Sequence, residues 1–413
     1  MIRRIPEGKN ISARTLAARL DRFTPEWLLT GTTPQQFFAR YYDRGILHLT
    51  GRPPGFYSRL IDFDDIESLL ARSSDDLRKN LVVCRNGMDY FQRNDRPKSM
   101  VLMVREAFAE GYTIGIYNAE ERWPSIARLA RACTEWLICE TNVAVFLSPP
   151  GTQAFERHFD IYDGFVLQIE GQKTWRIFAP SDIADPQAAH GDQIEPALPR
   201  TVTLSPGDLL YVPREYLHEV SAEGDASLHL TIAVKTYIWR DFLNDLIAAA
   251  GERQAMLARA CRLLPGRGSA APDLPPLVKR LMAAVAPDLG DDTASLVLDR
   301  ARGRLAERLS PLPRSLFFRH QRRRSVHADD KLVRAEGAIA SVLRQGNHVV
   351  LVFPGDSMAA PPAAAAALRF MAGSTAPFSI GELPGSLSEK ARLLLAGRLV
   401  KIGFLEILGD TDL

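Results

Sequence analysis

Two short stretches of this 413-residue chain carry residue types that together could hold a metal ion. The first contains His158 and Asp160, which would point the same way from a strand because side chains two residues apart share a face. The second, residues 205–218, reads SPGDLLYVPREYLH, in which turn residues precede a short apolar strand that ends at Pro213. A further turn would then place His218 close to His158 and Asp160, so that two imidazoles and one carboxylate would converge on one point.

This set of ligands favours iron. Two histidines and one carboxylate form the facial triad of non-haem Fe(II) sites, which leaves positions open for a co-substrate and dioxygen. Zinc is more often held in a closed tetrahedral set, frequently with thiolates. The four cysteines, at positions 84, 133, 139 and 261, are scattered without the spacing of a zinc knuckle or a disulfide framework. We therefore predict an Fe(II) site with no cysteine chemistry.

The surrounding chain predicts the strands and helices that would position these residues. Apolar residues 165–169 indicate a buried strand beside the metal motif, and residues 227–234 alternate so that His229 and Thr231 share a face. Upstream, residues 80–85 and 112–118 read as strands, whereas residues 124–137 have the three-and-four apolar spacing of an amphipathic helix.

The motifs between residues 158 and 218 are His-x-Asp, Gly-x-Lys-x-Trp and Pro-Gly-Asp-x-x-Tyr-x-Pro followed by the second histidine. They resemble the JmjC branch of the cupin-fold, 2-oxoglutarate-dependent oxygenases, and within it the ribosomal-protein hydroxylases. The resemblance implies an α+β fold: a double-stranded β-helix (a cupin or jelly-roll barrel), a helical dimerisation region and a C-terminal winged-helix-like domain. We expect these three domains over residues 1–240, 241–325 (with a basic linker) and 326–413.

The same resemblance implies the roles of the site residues. Fe(II) would be held by His158, Asp160 and His218, and the distal carboxylate of the co-substrate 2-oxoglutarate would meet Lys173. A lysine suits this task because its stem can lie along an apolar wall while its ammonium meets a carboxylate. The spacing from His158 to Lys173 allows two antiparallel strands joined by a turn at residues 170–172.

Two positions depart from the pattern of the family. Where relatives often carry Asn and then Tyr, this chain has Ala144 and Phe146. Polar contacts to 2-oxoglutarate or substrate at these positions are then missing, or they come from nearby polar side chains: Asn142, Ser148 and Thr231. We predict that Ser148 and Thr231 join the lysine in binding the co-substrate.

Other polar and aromatic residues have two interpretations each. Either Tyr162, Asp163 and Tyr211 support the metal ligands, or they pack in the ordinary way. His229 either orients substrate or is a satisfied core histidine. Further candidates, for which ordinary packing or a solvated loop is the favoured interpretation, are His48, Tyr90, Phe91, Arg93, His190, Asp192 and Glu195.

The implied reaction is hydroxylation of an amino-acid side chain of a protein or peptide, ribosomal or otherwise, with release of succinate and CO2. One alternative is an oxygenase for a small metabolite or a biosynthetic peptide, which the change at Ala144 and Phe146 keeps open. The other is a non-catalytic JmjC-like binding module, which the presence of all three ligands and the lysine disfavours. The sequence does not distinguish hydroxylation from demethylation.

The composition of the chain limits which binding partners and which location are expected. The net charge of +2 gives no general attraction to nucleic acid or membrane, and no apolar run of about 18 residues or signal segment is visible, so we expect a cytoplasmic protein. The dense basic cluster at residues 314–324 allows contact with ribosomal RNA, although a solvated linker is the favoured interpretation. Apolar helical faces over residues 237–286, together with the family resemblance, predict a homodimer.

Overall fold

A computed structural model describes residues 23–72, 75–92, 99–178, 199–252, 274–311 and 325–408. Two compact units make up the chain, residues 1–236 and 237–413. The boundary lies close to the predicted end of the catalytic domain at residue 240, while the further division into three domains stays a prediction. None of the described helices is both long and apolar enough to cross a membrane.

One antiparallel sheet dominates the first unit. Its nine strands are β1 (Leu47–Leu49), β2 (Leu81–Arg85), β3 (Met88–Asp89), β4 (Thr113–Ile116), β5 (Glu140–Ser148), β6 (Asp163–Phe178), β7 (Arg200–Leu204), β8 (Leu209–Val212) and β9 (Leu217–Lys235). Hydrogen-bonded neighbours follow the order β1-β8-β6-β9-β5-β4-β2-β3, and β7 pairs with β6. The strands predicted at residues 80–85, at residues 112–118 and before Pro213 are therefore present.

The long strands β6 and β9 pair along their whole length, from Asp163 opposite Val234 to Phe178 opposite Leu217. The turn predicted at residues 170–172 is wrong, because β6 continues through these residues with an irregular register typical of a β-bulge. Gly171 makes this possible: its φ is +64°, and a Cβ there would lie 2.2 Å from the Ala226 carbonyl oxygen.

Helices pack against this sheet and complete its apolar core. They are α1 (Pro25–Leu28), α2 (Pro34–Arg40), α3 (Phe63–Arg72), α4 (Met100–Ala109) and α5 (Pro124–Leu137). Thr33 caps α2 in a capping box with Gln36, and α5 buries Ile126, Leu129 and Cys133 as its apolar spacing predicts. The sequence pattern does not predict helix α4, because its first turn, MVLM, is apolar on every side.

The second unit begins with three helices, α6 (Trp239–Gly251), α7 (Leu274–Val285) and α8 (Asp291–Arg308). Two three-stranded antiparallel sheets follow, ordered β14-β10-β15 and β11-β12-β13, with two more helices. The bounds are β10 (Lys331–Arg334), β11 (Ser341–Gln345), β12 (His348–Phe353), β13 (Asp356–Ala360), α9 (Ala365–Gly373), β14 (Phe378–Ser379), α10 (Glu389–Lys401) and β15 (Leu405–Ile407).

The apolar residues of 332–343 predict a helix from the sequence alone, and this prediction is wrong, because β10 and β11 occupy the stretch. Leu332 and Val342 are buried in the core of the C-terminal unit from strands that pair with β15 and β12. Short apolar runs fit the helical and the strand period equally well, so the sequence of this stretch does not distinguish the two. The sequence also predicts helices over residues 363–372 and from residues 386–389 onward, and a strand over residues 349–352, and all three are present.

Candidate metal and co-substrate site

Three predicted ligands come together at one point of the first unit. A ligand atom from each of His158, Asp160 and His218 lies within 4.8 Å of the other two. Nε2 of His218 is 3.8 Å from Oδ2 of Asp160, and the two imidazole rings are 4.5 Å apart between centroids. Among the described residues, this is the cluster of histidine, cysteine and carboxylate side chains whose geometry suits a metal ion.

The backbone that carries His158 differs from the prediction. His158 and Asp160 do not lie on a regular strand; His158 forms an isolated bridge with His218 at the start of β9. The two residues exchange backbone hydrogen bonds, with N···O distances of 3.0 and 2.8 Å. This reciprocal pair fixes the spacing of the two imidazoles directly, without a complete strand.

Hydrogen bonds orient both imidazoles toward the common point. Nδ1 of His158 lies 2.7 Å from the Glu156 carbonyl oxygen, and Nδ1 of His218 lies 2.9 Å from the Tyr216 carbonyl oxygen. Because a carbonyl only accepts, each ring holds its proton on Nδ1 and leaves Nε2 free as a ligand. Burial and the neighbouring His158 lower the pKa of His218, which also favours its neutral, metal-binding form.

The carboxylate ligand Asp160 and the start of β6 are each held by hydrogen bonds. The Tyr162 hydroxyl is hydrogen-bonded to Asp160, and its burial, together with that carboxylate, raises the pKa of the Tyr162 hydroxyl. Asp163 is fully buried and accepts hydrogen bonds from the Arg214 amide (2.9 Å) and the Thr236 hydroxyl (2.7 Å). Tyr162 therefore contacts a metal ligand directly, whereas Asp163 connects the start of β6 to Arg214 and Thr236.

Tyr211, in contrast, is a packing residue. Its ring is fully buried against Phe37 and Phe165, at centroid distances of 4.9 Å each, and its hydroxyl accepts a hydrogen bond from the Asp43 amide at 3.1 Å. It belongs to the apolar core on the side of the sheet away from the metal ligands. Its neighbour Val212 lines the site instead, because alternate residues of β8 face opposite sides.

The three ligands open into a cavity of about 220 Å³. Its lining is mostly aromatic and aliphatic, with a few polar groups, as is typical of small-molecule sites. Apart from the ligands, the lining residues used below are Tyr117, Phe146, Val166, Lys173, Trp175, His229 and Thr231. The sequence alone predicts no role for Tyr117 or Trp175, although the Gly-x-Lys-x-Trp motif is a signal for Trp175.

Lys173 reaches this cavity from β6 with only 5% of its surface exposed. No ion pair to Lys173 is present among the described residues. Burial lowers the pKa of its ammonium to about 7. A buried cation without a carboxylate is costly to the folded protein, so this position is suited to an anionic ligand.

Of the other polar side chains suggested as co-substrate contacts, one lines the cavity and two are hydrogen-bonded elsewhere. Thr231 lines the cavity from β9. The Ser148 hydroxyl instead bonds to Thr113 at 2.9 Å, and Ser148 is not among the cavity-lining residues. Asn142 donates to the Glu120 carboxylate at 3.2 Å. Of the three polar side chains suggested by the sequence, the structure thus brings only Thr231 to the site.

His229 also lines the cavity, and it is not a satisfied core histidine. It is 4% exposed, and its Nδ1 is buried without a hydrogen-bond partner. Its ring stacks on Phe146, with 5.1 Å between centroids and 16° between planes. Burial, and then the charge of Lys173, lower the pKa of this imidazole well below its ordinary value, so it is neutral.

The remaining candidates have structural places or lie elsewhere. Tyr90 packs in the core against Tyr112, Phe91 lies against the Arg78 guanidinium, and His48 is 3.5 Å from Asp208. None of the three lines the cavity. The candidates Arg93, His190, Asp192 and Glu195, and the basic cluster at 314–324, lie outside the described residues.

The donor set fits Fe(II) with 2-oxoglutarate. Three neutral or anionic ligands on one side of a metal leave open positions, as facial-triad chemistry requires. The same cavity holds the unpaired lysine that a distal carboxylate needs. Both ends of the co-substrate would therefore find complementary groups in one cavity.

Comparison with known proteins agrees with this geometry. A family model described as JmjC domain matches residues 116–242. The chain is 30% identical over 217 residues to the bifunctional lysine-specific demethylase and histidyl-hydroxylase NO66 of Drosophila erecta, covering 51% of this chain and 33% of that protein. It is 30% identical over 258 residues to ribosomal oxygenase 1 of Gallus gallus, covering 60% and 42%. The chain thus spans well under half the length of these two relatives.

Solved structures of Escherichia coli ribosomal oxygenase YcfD have a similar fold. One has a TM-score of 0.51 at 17% identity, and another, in complex with cobalt and succinic acid, has a TM-score of 0.52 at 18% identity. Each match covers 91% of this chain and 98% of the other. These likenesses and the family model confirm the predicted JmjC, cupin-type fold.

Proposed function

We propose that this chain, whose residues 116–242 match the JmjC domain model, is an Fe(II)- and 2-oxoglutarate-dependent dioxygenase that hydroxylates a side chain of a protein or peptide. The observation that carries the proposal is the cavity that joins His158, Asp160 and His218 to the buried, unpaired Lys173. The three ligands suit an open iron site, and the lysine suits the far end of a dianionic co-substrate.

Each part of the cavity has a task in this reaction. When bound, Fe(II) supplies the oxidation of an unactivated carbon–hydrogen bond by dioxygen, coupled to the decarboxylation of 2-oxoglutarate to succinate and CO2. His158, Asp160 and His218 occupy one side of the site and leave the other side to co-substrate and dioxygen. Lys173 orients the co-substrate, while Val166 and Trp175 shield the site from water.

The relatives support a protein substrate. The similar proteins of fly and chicken are, by name, a bifunctional lysine-specific demethylase and histidyl-hydroxylase and a ribosomal oxygenase. The bacterial structure contains succinic acid, the product that 2-oxoglutarate would yield. We infer that a ribosomal protein is the first class of substrate to test. A small metabolite remains the second candidate, because Phe146 gives the cavity an apolar wall.

Mass spectrometry of peptides tests the proposal. The purified protein, with Fe(II), ascorbate and 2-oxoglutarate, is incubated with tryptic and intact ribosomal proteins, and succinate is measured in parallel. An increase of about 16 Da in the mass of a peptide, together with the formation of succinate, supports the proposal. Hydroxylation only of a small metabolite would establish the second candidate, and binding of 2-oxoglutarate without any turnover would favour a binding module.

Co-substrate affinity is expected to depend on pH through Lys173. Its pKa is lowered to about 7, and the dianion binds the ammonium form, so affinity should be constant below pH 7 and fall by about tenfold per pH unit above it. The titratable neighbours stay neutral over this range, because burial raises the pKa of Cys84 to about 12 and lowers that of His229. Calorimetry with Mn(II)-loaded protein from pH 6 to 9 measures the slope.

The matched control for this slope is Lys173→Met, whose weaker affinity should not change between pH 7 and 9 beyond any effect on the metal. Binding by the wild type should also take up protons above pH 7, which the buffer dependence of the enthalpy reports. A wild-type affinity that stays constant up to pH 9 would contradict the assignment of the lysine.

We also propose that the second unit forms a homodimer through α6. Trp239, Leu243 and Ile247 follow one another by four residues and are 80%, 52% and 43% exposed. An apolar stripe of this kind on one helical face is typical of a surface that another chain covers. A second copy of this chain is the expected partner.

Sedimentation should give twice the chain mass for the wild type and a lower mass for Leu243→Glu/Ile247→Glu. A monomeric mass over a wide concentration range would contradict the proposal.

Three finer predictions stay open. They are the winged-helix character of the C-terminal part, contact of the basic cluster at 314–324 with ribosomal RNA, and the cytoplasmic location. The two helices and six strands from residue 331 onward are compatible with several small folds. Crosslinking of the full-length protein to ribosomes would test the RNA contact.

A further inference from the structure

Two of the three metal ligands, Asp160 and His218, are bonded to one short turn, residues 213–216, which connects β8 to β9. The Glu215 amide donates a hydrogen bond to the Asp160 carbonyl oxygen at 2.9 Å. The Tyr216 carbonyl oxygen lies 2.9 Å from Nδ1 of His218 and so orients its imidazole. The position of this turn therefore decides where the carboxylate and the second imidazole lie relative to each other.

The turn does not hold this shape by its own backbone preference. Glu215 has a φ of +66°, in the left-handed region that is unfavourable for a residue with a side chain. Its side chain is exposed, so little packing of that side chain offsets the unfavourable backbone. A conformation of this kind persists only where the surrounding structure holds it. The contacts that hold the turn to the rest of the first unit are therefore important for the metal site.

The Asp163 carboxylate is a buried anchor for this turn. It is 0% exposed, and its Oδ1 accepts a hydrogen bond from the Arg214 amide at 2.9 Å. Its Oδ2 accepts a hydrogen bond from the Thr236 hydroxyl at 2.7 Å, and the Arg214 guanidinium lies 3.5 Å from Oδ1. Asp163 is also the first residue of β6 and pairs with Val234 of β9. Because a carboxylate makes stronger hydrogen bonds than a neutral acceptor, this side chain can fix the turn to the sheet.

We propose that Asp163 is a positioning residue that holds the turn at residues 213–216 against the sheet and thereby sets the geometry of Asp160 and His218 around the metal. This inference rests on the proposed function and adds to it a residue outside the cavity lining. The effect of Asp163 passes through the backbone of the turn to both ligands.

Three substitutions separate this role from general support of the fold. Asp163→Ala removes both hydrogen bonds. Asp163→Asn removes the charge but keeps an oxygen that can accept from the Arg214 amide and an N–H that can donate to the Thr236 hydroxyl. Thr236→Val is the matched control, because it removes the hydrogen bond to the other oxygen of the same carboxylate and leaves the bond to the turn in place.

The test uses Co(II) as the probe, since its visible absorption bands depend on the number and arrangement of its ligands. Titration with Co(II) measures metal affinity, and the absorption spectrum of the loaded protein reports the geometry of the site. Thermal unfolding of each metal-free variant measures stability. A residue that only stabilises the fold would change the unfolding temperature but not the spectrum of the folded protein.

We expect Asp163→Ala to weaken Co(II) binding about tenfold or more and to shift the absorption bands, because groups that orient metal ligands commonly contribute this much to affinity. Asp163→Asn should keep the wild-type spectrum and an affinity within about threefold of the wild type. Thr236→Val should lower the unfolding temperature while its spectrum and Co(II) affinity stay those of the wild type.

A folded Asp163→Ala protein with the spectrum and affinity of the wild type would overturn the assignment, as would equal changes in Thr236→Val. Should Asp163→Ala not fold, Asp163→Asn decides. An altered spectrum there would contradict anchoring through hydrogen bonds, and an unaltered spectrum would support it. If the wild type binds no Co(II), or binds Co(II) but not 2-oxoglutarate, the proposed function itself fails, which is a different outcome.

Discussion

Replacement of Asp160 by alanine is expected to abolish succinate formation and to weaken metal binding by roughly a thousandfold or more. The site offers three protein ligands, and Asp160 is the only one that carries a negative charge. Without it, two neutral imidazoles remain, held 4.5 Å apart but with no anion to balance the divalent cation. Metal titration and succinate release measure the two losses.

The matched control is Asp225→Ala, which removes an exposed carboxylate from the same unit. It should leave metal binding and turnover unchanged. Asp160→Ala should also keep its fold, because its side chain is 29% exposed and contributes little apolar packing. Thermal unfolding of the metal-free variant close to that of the metal-free wild type would show this. Succinate formation by Asp160→Ala at more than a few per cent of the wild-type rate would contradict the facial-triad assignment.

Much of this site is visible in the sequence because its residues depend on short local spacings. His158 and Asp160 are two residues apart, and the turn-strand-turn pattern around Pro213 leads to His218. The expectation that a strand carries the first pair is wrong, yet the ligands still converge. A reciprocal backbone bridge between His158 and His218 performs the same task, and such long-range pairing leaves no local periodicity to detect.

The strand that carries Lys173 also shows that local sequence does not reveal long-range contacts. The sequence is compatible with a turn at residues 170–172 and with a β-bulge at Gly171, because a glycine suits both. Only the close approach of the Ala226 carbonyl oxygen to Gly171 distinguishes the two. In either case Lys173 projects into the cavity. The availability of a side chain for binding is harder to predict. Ser148 and Asn142 are polar and close in sequence to the site, but long-range partners engage them, whereas His229 is left without one.

Replacement of Lys173 by methionine is expected to reduce 2-oxoglutarate affinity by roughly a hundredfold or more, since removing one member of a buried ion pair costs roughly 2–5 kcal/mol. Metal binding should be unchanged, because no ligand atom is altered. Calorimetry with Mn(II)-loaded protein measures both quantities. The result expected for 2-oxopentanoate is a much smaller loss, as that ligand has no distal carboxylate to pair.

The same substitution is expected to stabilise the protein in the absence of co-substrate. Burial lowers the pKa of Lys173 from 10.5 to about 7, so between these values the folded chain binds fewer protons at this residue than the unfolded chain. Folding is therefore opposed by the burial of the lysine, by on the order of 4 kcal/mol at pH 7.5. Methionine fills a similar volume without a charge, so the melting temperature should rise while co-substrate affinity falls. A fall in both the melting temperature and the co-substrate affinity would indicate a packing defect. It would contradict the role of Lys173 as a buried cation that binds the carboxylate.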